Sequence, residues 1–143
     1  SSLSRQIVLL HHEKLDGSGY PNGFVGDQIP LLVRIVTMCD IFSAIVSDRT
    51  YNNRISVDTA IEILRSATPS KLDQDVFLAL MQVIDVYPPG TLVELSNEKI
   101  AIVISNNPNS PTRPVLKQID NGAQIDMLQE LTLFIKKVLS RLP

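Results

Sequence analysis

The sequence has little of what several large classes of protein require. Among 143 residues it has one cysteine, no tryptophan and only two histidines. A single cysteine, Cys39, permits no internal disulfide bond and is typical of a reducing compartment, so we expect a cytoplasmic protein. The formal net charge is −2, which gives no reason to expect attraction to nucleic acid or to anionic membranes. We therefore expect neither as a partner.

Long apolar runs and several catalytic motifs are also missing. The most apolar stretch, residues 29–46, is interrupted by Pro30, Arg34 and Asp40 and is shorter than the roughly 20 residues that span a bilayer. The sequence contains no G-x-S-x-G motif, no P-loop and no glycine-rich dinucleotide motif between a strand and a helix. What is present is an ordinary globular composition, 44% hydrophobic and 20% charged.

The apolar periodicity predicts helices in the first part of the chain. A short helix capped by Ser2 or Ser4 is expected to run into His11-His12-Glu13. A second helix is expected over 31–47, where the density of apolar residues indicates a central, buried helix. Two further helices, expected after Ser56 and Ser70, each have one apolar face. Between the first two helices, residues 16–23 hold three glycines and one proline, which predicts an ordered loop.

The pattern changes after residues 87–90. β-branched residues predict strands near 91–95, 100–105 and 114–119, which we expect to form a small antiparallel meander. After residue 122 the apolar residues return to helical spacing and predict a final amphipathic helix. They are Leu128, Leu131, Ile135, Val138, Leu139 and Leu142. The predicted fold is therefore mainly α: an incomplete helical bundle over 1–86, a β-rich extension over 87–120 and a C-terminal helix over 121–143.

The only two histidines, His11 and His12, are adjacent. Neighbouring side chains on a helix project about 100° apart, so the pair could serve two ions of a metal cluster, or one ion and a substrate. The alternative is one exposed histidine and one that is satisfied within the packing. Because this chemistry lies close to the amino end, a site built from it would have most of one wall missing, and we expect the chain to be a fragment.

Asp40 falls in the middle of the predicted buried helix, where an unpaired carboxylate is costly. A metal ion would compensate its charge, and so would a salt bridge to Arg34, Arg49 or another basic group. Arg49 itself could present its guanidinium to a phosphate or interact with the last carbonyls of the helix. We expect Cys39 to be a buried, unreactive side chain, because nothing nearby in sequence would lower its pKa.

These residues belong to a longer string with fixed gaps, and this string resembles the second half of HD-GYP domains. It consists of His11-His12-Glu13-Lys14-Leu15-Asp16-Gly17-Ser18-Gly19-Tyr20-Pro21, then Ile29-Pro30, Arg34-Ile35-Val36, Asp40-Ile41-Phe42 and Ser47-Asp48-Arg49. The resemblance covers residues 1–86. The segment 87–114 resembles the strand-forming tail that often follows such domains.

The resemblance implies a helical, HD-domain-like phosphodiesterase that hydrolyses cyclic di-GMP with two or three divalent transition metal ions, iron or manganese. His11, His12 and Asp40 would then be metal ligands. The resemblance implies substrate contacts for Tyr20, Arg49 and Lys14. It also implies a signature loop that borders the substrate and meets partner diguanylate cyclase or other signalling domains; this loop contains Asp16, Gly17, Gly19, Tyr20 and Pro21.

The sequence departs from the family pattern in several ways. It contains no His-Asp pair, and three ligands do not saturate two or three ions. Ser43 stands in place of a usual acidic residue, and Thr50 and Asn52-Asn53 stand in place of the usual proline and basic residues, so we expect weaker phosphate binding.

We therefore expect this chain alone to be inactive and to hold no metal, and we expect uncovered apolar faces to cause self-association. Two alternatives stay open. One is a non-catalytic signalling module that binds a partner, and the other is a helical domain whose resemblance is only ancestral.

Overall fold

The computed structural model describes residues 1–47 and 57–140. The helices in these ranges are α1 (Ser2–Leu10), α2 (Leu31–Ser47), α3 (Val57–Ala67) and α4 (Gln74–Val83), with a short 3-10 helix at Gly26–Gln28. The strands are β1 (Leu92–Leu95), β2 (Ile100–Asn107), β3 (Ser110–Gln118), β4 (Gln124–Asp126) and β5 (Ile135–Ser140). The chain divides into two compact units, Ser1–Leu80 and Met81–Pro143. No helix within the described ranges is long and apolar enough to cross a membrane.

The first unit has a small apolar core where α1 and α2 meet. Leu10, Ile29 and Val33 are buried together. Ile7 and two residues of the intervening segment, Leu15 and Phe24, pack against them. Burying a side chain of this size stabilises a fold by about 1.5–3 kcal/mol. The loop between α1 and α2 is therefore attached to the core by its own apolar residues.

Arg34 connects the first turn of α2 to the start of α4. Its Nη1 donates to Asp73 Oδ2 at 2.7 Å, and its Nε donates to the carbonyl oxygen of Ile29 at 2.8 Å. The other carboxylate oxygen of Asp73 accepts the backbone N–H of Val76 at 3.0 Å and so caps α4. Burial acts to raise the pKa of Asp73, but the Val76 amide and the Arg34 guanidinium together hold that pKa below its ordinary value.

The second unit is a five-stranded antiparallel sheet in the order β4-β3-β2-β1-β5. Side chains at alternate positions point into its core, as the two-residue period of a strand requires. They are Val93 and Leu95 of β1, Ala101 and Val103 of β2, and Leu116 of β3, joined by Met127 after β4. The hairpin between β2 and β3 turns at Asn109, which has a φ of 63°, a conformation that asparagine tolerates better than most residues.

Arg113 organises the connection between β4 and β5. Its Nε donates to the carbonyl oxygen of Met127 at 2.9 Å, and one Nη donates to those of Glu130 and Leu133, both at 2.7 Å. A guanidinium has five N–H donors in a planar arrangement, so a single side chain can satisfy three carbonyl groups. These three bonds hold the segment that leads from β4, at one edge of the sheet, to β5, which pairs with β1 at the other edge.

The prediction of a mainly α fold with a final amphipathic helix is wrong. Three strands occur near the predicted positions, but residues 124–126 and 135–140 form β4 and β5 instead of helix. The apolar spacing in this segment fits a helix as well as a strand, because Ile135 and Val138 can lie on one helix face or on one face of a bulged strand. The unpaired edge of β1 decides the outcome, since it supplies backbone hydrogen bonds that begin at the Leu95↔Ile135 pair.

The prediction that α2 is a central, buried helix is also wrong for its described side chains. The buried residues are Val33, Thr37 and Met38, which lie on one arc of the helix, whereas Leu31 is 56% exposed. Cys39 is exposed as well, contrary to the expectation of a buried thiol. Helices α1 and α3 both pack against α2, and its other described side chains are partly buried or exposed. Self-association through the uncovered residues stays a prediction.

The capped ion pair of the first unit predicts a specific response to acid. Asp73→Asn keeps an N-cap oxygen for α4 but removes the charge that pairs with Arg34, so we expect the free energy of unfolding at neutral pH to fall by about 1–2 kcal/mol. Because the pKa of Asp73 is depressed in the folded state, this stabilisation is present above the unfolded pKa of about 3.9 and is lost as pH falls through the folded value. Urea unfolding at a series of pH values measures both effects.

The control for this experiment is Asp75→Asn in the same first turn of α4. Asp75 is exposed and has no ion pair among the described residues, so we expect the acid limb of its stability curve to match that of the parent. Identical acid limbs for the parent and Asp73→Asn would contradict the assignment.

The second unit predicts a stability effect at Arg113. Arg113→Ala leaves the carbonyl oxygens of Met127 and Leu133 without their donor, and that of Glu130 with only the backbone N–H of Leu133. We therefore expect the free energy of unfolding of the second unit to fall by about 2 kcal/mol or more. Lys117→Ala, an exposed position on the same strand, serves as the control. Hydrogen exchange of the β1 and β5 amides measures the change, and equal protection in both variants would show that the Arg113 bonds do not hold β5.

Candidate metal and signature-loop site

The histidine pair lies just beyond the end of α1. His11 is the C-cap residue of that helix, and its Nδ1 lies 2.9 Å from the carbonyl oxygen of Val8 and 3.1 Å from that of Ile7. A carbonyl oxygen only accepts, so the hydrogen of the neutral ring is on Nδ1 and the lone pair is on Nε2. Backbone carbonyls often orient metal-binding histidines in this way.

His12 lies between two other rings. The centroids of His11 and His12 are 3.9 Å apart with a tilt of 40°, whereas the His12 and Tyr20 rings are stacked at 4.8 Å and 17°. The backbone N–H of Tyr20 also donates to the carbonyl oxygen of His12 at 3.3 Å. The structure therefore joins the histidine pair to the signature loop through Tyr20, whose side chain is 62% exposed.

Gly19 makes this close approach possible. A Cβ atom at this position would overlap the carbonyl oxygen of His12, the amide nitrogen of Lys14 and the Cα of Glu13. All three are backbone atoms, which cannot move aside by changing a rotamer. The predicted ordered loop thus needs a glycine here because two backbone segments pack directly against each other.

The side chain of Glu13 is buried beneath the same loop, with 2% of its surface exposed. Its Oε1 accepts the backbone N–H of Asn22 at 2.6 Å and its Oε2 accepts that of Phe24 at 3.0 Å. Glu13 is part of the string that resembles HD-GYP domains, but its position in the sequence predicted no role for it. An acidic residue next to a glycine-rich loop was the available signal, but its burial could not be inferred from spacing.

The start of the loop is shaped by a local turn. Asp16 Oδ1 accepts the backbone N–H of Ser18 at 2.9 Å, and Gly17 between them has a φ of 81°, which favours glycine. The Ser18 hydroxyl and amide hold the pKa of the Asp16 carboxyl below its ordinary value. The structure thus gives Asp16 and Gly17 turn-forming contacts, and Asp16 is exposed.

Lys14 lies among charged neighbours. The backbone N–H of Leu15 donates to the carbonyl oxygen of Lys71 at 3.0 Å, so the loop before α4 lies beside the signature loop. Partial burial, and then the positive charge of Lys71, lower the pKa of Lys14, whereas Asp40 and Asp16 act in the opposite direction. Asp40 is therefore close enough to Lys14 to interact with it electrostatically.

The expectation that Asp40 is a buried carboxylate is wrong. It is exposed, and Arg34, one of the partners considered for it, binds Asp73 instead. One turn before Asp40, the buried hydroxyl of Thr37 lies 3.0 Å from the carbonyl oxygen of His11 and 2.8 Å from that of Val33, and donates to both. Thr37 therefore connects α2 to the histidine pair, although the sequence analysis of α2 assigned it no such contact.

The three predicted metal ligands do not by themselves make a complete site. Residues 1–47 and 57–140 contain no group of three or more histidine, cysteine or acidic side chains that could hold a metal ion. The orientation of His11 fits a ligand, so the described residues fit part of a metal site only. Arg49, the predicted phosphate contact, lies outside the described residues.

Comparison with known families gives a match in each part of the chain. Residues 4–76 match the family described as HD domain, and residues 92–141 match the KOW domain associated with HD domain. The first match includes most of α1, the signature loop, α2 and α3, and the second includes the five described strands. The chain belongs to the HD domain family, and specifically to its HD-GYP type.

Individual relatives of the chain are named as phosphodiesterases of cyclic dinucleotides. The chain is 35% identical over 117 residues to a cyclic di-GMP phosphodiesterase of Pseudomonas aeruginosa, covering 82% of this chain and 28% of the relative. It is 32% identical over 130 residues to cyclic di-GMP phosphodiesterase PdeB of Borreliella burgdorferi, covering 88% and 34%. It is 41% identical over 78 residues to a 3'3'-cGAMP-specific phosphodiesterase of Vibrio cholerae, covering 54% and 17%. The chain spans at most about a third of the length of these relatives.

The backbone contact at Gly19 leads to a prediction. Gly19→Ala forces the loop away from residues 12–14, so we expect the free energy of unfolding to fall by about 2–3 kcal/mol and the His12–Tyr20 ring contact to be lost. Gly26→Ala is the matched control, because its Cβ meets nothing within 4 Å and only the positive φ of 53° opposes it, at a cost of about 1 kcal/mol. Urea unfolding and ring-to-ring nuclear Overhauser effects test this, and equal losses in both variants would contradict it.

Proposed function

We propose that this chain contributes the histidine pair and the signature loop of a metal-dependent phosphodiesterase that hydrolyses cyclic di-GMP. The observation that supports this most directly is the ring geometry. His11 has its Nδ1 held by two helix carbonyls, and His12 is stacked on Tyr20. This arrangement leaves the lone pair on Nε2 of His11 available to bind a metal ion. The names of the relatives support the phosphodiesterase activity.

In this proposal His11, His12 and Asp40 are the ligands that this chain supplies to a cluster of iron or manganese ions. A bound divalent ion would supply a nucleophilic water at neutral pH and would neutralise charge on the phosphoryl oxygens. The cluster needs further ligands, among them a His-Asp pair, which this sequence does not contain. The chain alone is therefore inactive in this proposal.

The charged and aromatic side chains around the histidines suggest how a cyclic dinucleotide is bound. The Lys14 ammonium group provides a positive charge for a phosphate, and Arg49 is the second proposed phosphate contact. The exposed ring of Tyr20 provides a surface for stacking a base or for contact with a partner signalling domain. Both cyclic di-GMP and 3'3'-cGAMP carry two phosphodiesters, and relatives are named for each.

A second candidate function is a non-catalytic module that binds a cyclic dinucleotide or a signalling partner in the cytoplasm. The observation that favours it is the absence, within the described part of the chain, of any group of three metal-binding side chains. In this case the signature loop would be retained for recognition alone.

Turnover measurements distinguish the two functions. We expect the purified chain alone to hydrolyse no cyclic di-GMP, and we expect hydrolysis when it is mixed with Mn²⁺ or Fe²⁺ and a segment that carries the His-Asp pair of an HD-GYP domain. In that mixture His11→Ala and Asp40→Asn should each lower turnover by more than about a hundredfold, because each removes a proposed ligand. Parallel assays with 3'3'-cGAMP determine which substrate is preferred.

The control variant is Lys117→Ala, which lies in the sheet and should leave turnover unchanged. Full turnover by the unmixed chain would contradict the need for additional ligands. Binding of cyclic di-GMP without turnover under every condition would favour the non-catalytic module.

A further inference from the structure

Glu13 is a buried acidic residue whose charge is satisfied only by backbone groups in the described part of the chain. Its side chain is 2% exposed, and among residues 1–47 and 57–140 it has no ion pair. A buried carboxylate without a cation is unstable unless several donors point at it. Here the two oxygens accept the backbone N–H groups of Asn22 and Phe24, at 2.6 and 3.0 Å.

The two donors lie directly after the signature loop. Tyr20 and Pro21 come immediately before Asn22, so the Glu13 carboxylate holds the chain where it returns from the loop. Gly19 packs against the backbone of residues 12–14 on the other side of Tyr20, and the Tyr20 amide bonds to the carbonyl oxygen of His12. Tyr20 is thus held from both directions in sequence by residues 12–14.

We infer that Glu13 is a positioning residue that keeps the Tyr20 ring stacked on His12 by fixing the backbone at Asn22 and Phe24. Glu13 itself is buried beneath the loop and does not contact substrate. This inference deepens the proposed function, because it matters for turnover only if His12 and Tyr20 belong to the reacting site. The positioning of the loop, however, can be measured without any activity.

The chemistry of the side chain explains why a carboxylate is needed here. Glu13 offers two acceptor oxygens to two backbone donors, whereas glutamine of the same shape offers one oxygen and one NH₂ group. In Glu13→Gln one backbone N–H must therefore face another donor. A lost hydrogen bond to a charged group corresponds to a change of about tenfold or more in an opening equilibrium. Glu13→Asp keeps the charge but is one methylene shorter, so it cannot reach both amides at the original distances.

Amide hydrogen exchange on the full 143-residue chain tests the inference. We expect Glu13→Gln to lower protection about tenfold or more at Asn22, Phe24 or both, and to weaken the nuclear Overhauser effects between the His12 and Tyr20 rings. Protection in α2 and in the sheet should not change. Glu62→Gln is the matched control, because Glu62 is an exposed acidic residue of α3 paired only with Arg65 among the described residues, and it should match the parent throughout. Glu13→Asp is the second variant, with losses expected at the same two amides.

Two results would overturn the inference. One is unchanged exchange at Asn22 and Phe24 in both Glu13 variants. The other is a loss of the same size throughout α2, which would indicate a general loss of stability instead of a local one. The reconstituted turnover assay is a separate measurement: if the parent chain shows no turnover in the mixture, the proposed function fails while the exchange result for Glu13 still stands or falls on its own.

Discussion

The buried carboxylate of Glu13 is the constraint on which the candidate site depends. An ionised group taken out of water needs donors in the protein, and two backbone amides of the returning loop provide them. The loop can return at that point only if it passes close to residues 12–14, and this approach in turn requires a glycine at position 19. The stacking of Tyr20 on His12 follows from these contacts. Glu13, Gly19 and the ring of Tyr20 therefore act as one structural unit.

A second set of contacts connects this unit to the helices. Thr37 joins α2 to the carbonyl oxygen of His11, and the carbonyls of α1 hold the His11 ring. Arg34 binds Asp73 at the opposite end of this region, so it is not available as a counter-ion for Asp40. Asp40 is exposed, with Lys14 as an electrostatic neighbour. The chain belongs to the HD-GYP type although its sequence contains no His-Asp pair.

Sequence patterns predicted some elements well and others poorly, for identifiable reasons. Helices α1 to α4 correspond to the predicted helical segments, because three of them have an apolar face with helical spacing and α2 has a long apolar stretch. The last segment failed because Ile135 and Val138 suit a helix and a bulged strand equally, and pairing with β1 decided between them. The burial of α2 was overestimated because apolar composition indicates what a helix can bury, whereas its neighbours determine how much of it is covered.

The sequence by itself determined which residues could take part in the site, because the spacing of the histidines, glycines, tyrosine and Asp40 is a property of the chain and is specific to the HD-GYP type. It could not determine that Glu13 is buried, that Thr37 reaches His11, or that Asp40 faces solvent. Those features depend on contacts between segments that are far apart in sequence, or on which face of a helix a neighbour covers. Only the packing of the loop and of α1 against α2 decided them, since burial and hydrogen bonding are properties of the assembled chain.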